Sequence, residues 1–328
     1  MYLLKRYEEK KVLVTGGLGF VGSNLALRLA ELGAQVHVVD ALLPGCGGNR
    51  FNLQPAGDRI TVSIQDLRNR DFIEQAVAGT DLIFNLAGDV SHLGSMEDPE
   101  HDLEINCRAQ LALLESCRRA NPSVKIVFAS SRQLYGRPLS LPVNEGHQVE
   151  PVDINGIHKR TAERYHFIYG VYGIRATALR MTNTYGPRQL IRHNLQGFMG
   201  WFIRQALLGE EIVLFGDGAQ LRDPVYVDDA VHAFLRAGVS PAADGQVFNL
   251  GHEPVSLLTI AETLIAICGR GSYRLEPFPP ERRLVDIGHY YGDYWKAERL
   301  LNWKPQIGLE EGLRRAVEYF REHGEHYL

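Results

Sequence analysis

Cysteine is scarce in this chain, and none is paired in sequence. Cys46, Cys107, Cys117 and Cys268 are the four among 328 residues, with no Cys-x-x-Cys spacing. That argues against a zinc site or a disulfide framework, so no metal is expected, and it fits a reducing, cytoplasmic setting. Long apolar runs are also missing: none approaches the roughly 18 residues that span a bilayer. Residues 1–11 are too charged and too short for a secretion signal, so no membrane partner is expected. Excess charge of one sign is lacking, since 35 Lys+Arg against 39 Asp+Glu leave a net charge of −4. A chain so balanced carries no electrostatic footprint for nucleic acid or acidic membranes. Lysine supplies seven of the basic residues and arginine the rest; the planar arginine fork suits anion recognition.

What the chain does have is the make-up of a soluble globular protein, 45% hydrophobic and 23% charged, at a length suited to one large α/β domain or a domain plus a smaller lobe. Short β-branched runs at 11–15, 35–40, 59–64, 81–85, 125–129 and 175–180 alternate with helical stretches such as 23–32, 102–120 and 155–172. Strands separated by helices imply right-handed crossovers and a doubly wound parallel sheet. After Asn183 the alternation breaks down. It resumes briefly at 226–237 and 247–250, and helices are expected at 198–208, 258–268 and 309–323. The reading is α/β: a dinucleotide-binding domain from 1–183 and 224–250, with a smaller α/β substrate lobe from 184–223 and 251–328.

Gly16, Gly19 and Gly22 lie directly between the first strand and the first helix. Glycine there permits a tight turn and a close approach to a pyrophosphate at the helix N-terminus. Phe20 and Val21 complete that turn. Asp40 ends the second strand, 18 positions after Gly22. A carboxylate there accepts from both ribose hydroxyls and repels a 2′-phosphate, which favours NAD over NADP. Asp66, followed by Leu67, stands after the third strand and either edges the adenine or caps a helix. Leu86, Ala87 and Gly88 close the fourth strand with small residues, suiting a cofactor approach or a plain tight turn.

Together these segments resemble the extended short-chain dehydrogenase/reductases, specifically the NAD-dependent nucleotide-sugar epimerases and dehydratases. The resemblance continues through Ser91 to Asn106, the Ser130-Ser131 to Tyr135-Gly136 segment and Arg180 to Arg188. It extends to Phe215-Gly216-Asp217-Gly218, Arg222-Asp223 and Tyr226 to Asp229. It implies NAD as cofactor and a nucleotide-diphosphate sugar as substrate. Ser131 would bond the sugar hydroxyl being oxidised, and Lys159 would bind the nicotinamide ribose. Asn183, Arg188 and Arg222, with Arg282 or Arg283, would hold the diphosphate; Arg222 could instead pair with Asp223 or Asp228.

Three departures from the family pattern matter. Where the dehydratases carry Asp-Glu, this chain has Arg132-Gln133, and decarboxylating relatives use a glutamate at the Gln133 position; both activities are disfavoured. Arg132 either meets an acidic or extended sugar or faces solvent. Finally, residues 155–159 read Asn-Gly-Ile-His-Lys where the family carries Tyr-x-x-x-Lys. The literal match, Tyr7 to Lys11, lies before the first strand. Asn155 shares a helix face with Lys159, so it is expected to point at the substrate, but an amide cannot ionise. Substitute bases to weigh are Lys159, His158, His92 and His193. The resemblance leads to an NAD-dependent epimerase acting through a keto sugar, most often at C4. Alternatives are a reductase or dehydratase variant, or a binding protein that has lost catalysis. It also implies a homodimer paired through the 102–120 and 155–172 helices.

Overall fold

Side chains alternate across a strand, and the first strand shows what that does here. Val12 and Val14 enter one apolar cluster while Leu13 enters another on the opposite face. The structure, a computed structural model, describes residues 2–283 and 285–328, and the side chains of these except 2–4, 195, 281 and 282. Seven parallel strands form the central sheet: β1 Lys11–Thr15, β2 Gln35–Asp40, β3 Ile60–Ile64, β4 Leu82–Asn85, β5 Lys125–Ser131, β6 Arg175–Met181 and β7 Val247–Asn249. Their order is β3-β2-β1-β4-β5-β6-β7. Residue pairs such as Thr15 with Asn85 and Ser131 with Met181 bring the carboxyl ends level along one edge. The doubly wound parallel sheet expected from the sequence is present.

Both faces are covered by helices. One carries α1 (Phe20–Glu31) and α6 (Val227–Val239); the other carries α2 (Arg70–Val77), α3 (Ala109–Ala120) and α4 (Ile154–Ile168). The leader that precedes β1 is a short helix, Tyr2–Tyr7, a feature the sequence reading passed over. Tyr7 is fully buried and its hydroxyl donates to the Leu235 carbonyl at 2.7 Å.

A further group of elements comes from the second half of the chain. Helices α5 (Phe198–Leu208), α7 (Leu257–Cys268) and α8 (Leu309–His323) pack on one another. Glu211–Phe215 pairs in parallel with Ser272–Glu276, and Val255–Ser256 pairs antiparallel with Leu221–Arg222. Their apolar residues, including Ile203, Leu214, Leu264 and Val317, belong to the same cluster as Val12 and Leu25.

Candidate active site

A cleft follows the carboxyl edge of the sheet. Its floor is the loop from β1 into α1. Gly16 takes a φ of +67°, and a Cβ there would sit 2.8 Å from the Leu86 and Ala87 backbone; at Gly22 it would sit 2.2 Å from the Gly16 carbonyl oxygen. Larger residues would push the loop off the sheet. Gly19 caps α1 without any side-chain bond, so the first amides of α1, at Phe20, Val21 and Gly22, are left for an anion. All of these residues line the cleft. An unsatisfied helix start over a glycine cradle fits a pyrophosphate.

Asp40 reaches the same cleft from the end of β2. Its carboxylate accepts from the Leu18 amide at 3.0 Å and the Leu42 amide at 2.8 Å, while burial raises its pKa. Asp66 and Leu67 line the next stretch with Arg68. Helix α2 is capped by Asn69, not Asp66; the Asp66 carboxylate is instead gripped by Arg68 at 2.7 Å, which holds its pKa down. Arg68 also reaches Glu104 at 2.9 Å. Leu86, Ala87 and Gly88 line the cleft beyond.

Lys159 enters from α4 and is buried. A Cβ on Gly88 would lie 2.5 Å from its Nζ, so glycine at 88 makes room for the ammonium. Burial lowers the Lys159 pKa, against the opposing charges of Asp102 and Asp89. Beneath the site, Glu163 on α4 accepts from Ser130 at 2.6 Å and from Arg180 at 2.6 and 3.0 Å. This locks α4 to the ends of β5 and β6, and therefore sets Lys159 relative to Ser131. The Ser131 hydroxyl donates to the Gln133 Oε1 at 3.0 Å. The Gln133 Nε2 in turn lies 2.8 Å from both ring nitrogens of His92, and the His92 Nδ1 also meets the Asp153 carboxylate. Ser131, Gln133 and His92 all line the cleft.

Asn155 does not. Its side chain is fully buried, and its Nδ2 donates to the Asp102 Oδ2 at 2.7 Å and to the Asp89 carbonyl at 2.9 Å. The expectation that Asn155 points at the substrate is therefore corrected: a buried carboxylate draws the short amide away from the cleft. His158 is held by the same carboxylate, with Nδ1 2.6 Å from the Asp102 Oδ1, and is also outside the lining.

On the substrate side, Arg132 and Asn183 line the cleft. Arg132 is buried, not solvent-facing; its guanidinium lies 4.9 Å from the centre of the Tyr290 ring, with Nη2 3.3 Å from the Asn183 Oδ1. Arg222 is buried behind them and donates to the Leu221 and Gly288 carbonyls at 2.8 and 2.6 Å. Its pKa is lowered to about 9 by burial and by the charge of Arg132. The alternative of an Arg222 salt bridge to Asp223 or Asp228 is not what the structure shows, since backbone carbonyls take its Nη1. Arg188 turns away: it donates to the Asn52 carbonyl at 3.1 Å and the Asn24 side chain at 2.8 Å, tying α1 to the 50–59 turn. Assigned to substrate from the sequence, it is corrected here to a structural tie. Arg282 lies outside the described side chains.

A parallel sheet in this order, with a glycine cradle and a carboxylate closing the second strand in the same cleft, defines a dinucleotide-binding α/β enzyme fold. Residues 12–251 match the NAD dependent epimerase/dehydratase family, and the chain belongs to that family. It is 33% identical over 313 residues to the UDP-glucose 4-epimerase of Mycolicibacterium smegmatis, covering 95% of this chain and 98% of that one. The UDP-glucose 4-epimerase of Thermotoga maritima, solved with UDP-glucose, superposes with a TM-score of 0.85 at 34% identity, covering 95% of this chain and 99% of that one. The Thermus thermophilus UDP-glucose 4-epimerase, solved with NAD, does so with a TM-score of 0.84 at 31% identity, covering 94% and 98%.

Proposed function

We propose that this protein is an NAD-dependent epimerase of a nucleotide-diphosphate sugar, working through a transient keto sugar at C4. The observation that carries the reading is one continuous cleft in which Asp40 and the Gly16–Gly22 loop stand at one end and Ser131, Arg132, Asn183 and Lys159 at the other. Bound NAD supplies a place for the hydride that leaves a sugar carbon and returns to its opposite face. The Phe20, Val21 and Gly22 amides would hold its pyrophosphate and Asp40 its adenosine ribose. Ser131 bonds the reacting hydroxyl, and the Lys159 ammonium steadies the negative charge that grows on that oxygen. Arg132, Asn183 and the Arg222 behind them form the cationic wall for the substrate diphosphate. Dehydration is disfavoured because Arg132 and Gln133 offer no acid for elimination.

The copies are read as pairing in a homodimer, since an apolar stripe of Ile157, Ile168, Val171 and Tyr172 is left exposed along α4 and the turn that follows it. A reading as a binding protein without turnover is favoured by the sequestered Asn155. It is weighed against by the intact Ser131 and Lys159 pair. Incubating the protein with UDP-, GDP-, CDP- and dTDP-sugars, with NMR of the sugar ring and NADH absorbance followed together, separates these. An epimer without net NADH supports epimerisation; tight binding with no product on any donor contradicts it.

A further inference from the structure

We propose that His92, held by Asp153, takes the proton that a tyrosine at position 155 would have taken; the inference rests on the epimerase reading. The site needs a group that can accept a proton beside Ser131, and Asn155 cannot supply it, being neutral and tied to Asp102 away from the cleft. Arg132 holds its proton too firmly to act. Lys159 is buried, which lowers its pKa against the charges of Asp102 and Asp89; in the epimerase reading its part is the cation beside the reacting oxygen, which leaves the proton to another group. His92 lines the cleft at the carboxyl end of β4, and its side chain is 39% exposed, open enough to be reached.

Its hydrogen bonds also assign the proton. Asp153 is buried at the head of α4, where its Oδ1 accepts from the Gly156 amide at 2.7 Å and its Oδ2 faces the His92 Nδ1. A carboxylate at Nδ1 makes that nitrogen the N–H and leaves the lone pair on Nε2. The Gln133 Nε2 lies 2.8 Å from both ring nitrogens, so it is the Asp153 contact that leaves the Gln133 N–H facing the lone pair on Nε2; the Gln133 oxygen takes the Ser131 hydroxyl. A sugar hydroxyl arriving at Ser131 therefore displaces the Gln133 amide from Nε2. The hydroxyl proton would pass to Nε2 as its O–H bond breaks, while bound NAD would supply the acceptor for the C–H electron pair as hydride. The imidazolium is held by Asp153 until both are returned. Lys159 and Arg132 are the other charged groups that line this part of the cleft, and Asp89 and Glu97 are the charged residues that flank His92 in sequence.

The test uses the full-length protein with NAD and whichever donor of the panel the wild type epimerises. His92→Gln is expected to lower kcat by about 10²- to 10⁴-fold, with KM and NAD affinity changed by less than about threefold. Added imidazole should restore part of the activity of His92→Ala. Asp153→Asn keeps a capping oxygen for Gly156 but removes the charge that would hold the imidazolium, so kcat should fall here too, with KM and NAD affinity changed by less than about threefold. His92→Gln turnover within about tenfold of wild type overturns the inference alone, because a positioned base is worth more than that. Loss of NAD or sugar binding in His92→Gln overturns it too, as that marks a structural role. A wild type that epimerises no donor brings down the parent reading and the inference together.

Discussion

Asn155 and Asp102 face each other at 2.7 Å, amide nitrogen to carboxylate oxygen, inside the protein and outside the lining of the cleft. The other oxygen of Asp102 meets His158 at 2.6 Å. One carboxylate thus fastens the first turn of α4 to the Pro99–Leu103 helix. The position that would hold the proton-taking phenol is used here as a fastening.

Asn155→Ala should therefore cost stability first. It leaves a buried carboxylate oxygen without its donor, worth about 1–3 kcal/mol, to be read in denaturant unfolding. Asn155→Tyr asks a phenol to fit where the amide is enclosed on all sides. It is expected to destabilise the fold and to leave turnover no higher than wild type; a strong gain in turnover would contradict this account of the site.

Asp40 should decide between the two dinucleotides. Its carboxylate lies in the cleft at the end of β2, with one oxygen on Leu18 and the other on Leu42. Asp40→Ser removes the acceptor and the repulsion of a 2′-phosphate. The preference for NAD over NADP, measured as a ratio of Kd values by calorimetry, should fall by about tenfold or more, which is about 1.4 kcal/mol.

Two buried groups give stability opposite slopes with pH. His166 donates from Nδ1 to the Ala162 carbonyl and accepts from Asn85 at Nε2, in a network with Thr15 and Gln110. Burial lowers its pKa to about 4. The unfolded chain binds the proton first, so its contribution is present above about pH 6.5 and is lost as pH falls through about 4. Asp223 is pushed up to about 7 by burial, against bonds from Thr182 and Gly292 and the charge of Arg132. Its contribution is present below the ordinary carboxylate range and lost as pH rises through about 7. Unfolding free energies across this range should show wild type losing ground to His166→Gln as pH falls. Against Asp223→Asn, wild type should gain ground over the same fall.

The exposed stripe on α4 gives a prediction on assembly. Ile168 and Val171 are 59% and 73% exposed, an apolar load that a second copy would cover. Sedimentation should give a dimer for wild type and a monomer for the Ile168→Asp, Val171→Asp pair.

Much of this was legible in the sequence, for physical reasons that differ by element. Strand periodicity placed β1 and β2 within their bounds, because a buried parallel strand must be a continuous apolar run. The glycine spacing located the cradle because no other residue fits against Leu86 and Gly16. Direction of side chains was harder to read. Helix phase puts Asn155 on the Lys159 face, but it does not say that Asp102 waits there to take a short amide. Arg188 has a stem long enough to reach either the cleft or Asn24, and Arg222 found backbone carbonyls that no motif announces. His92 carried a usable signal, a histidine four residues after Gly88 at the start of the short helix that follows β4. Its partners, Gln133 and Asp153, are brought to it by the fold alone.

The central claim is that a hydride leaves C4 of the sugar and comes back to the same carbon within one binding event. A nucleotide sugar deuterated at C4, turned over by the protein with bound NAD and examined by NMR, tests it directly. The account predicts an epimer that keeps its deuterium at C4 with no net NADH. Loss of the label to solvent, or a product formed with stoichiometric NADH, would contradict it.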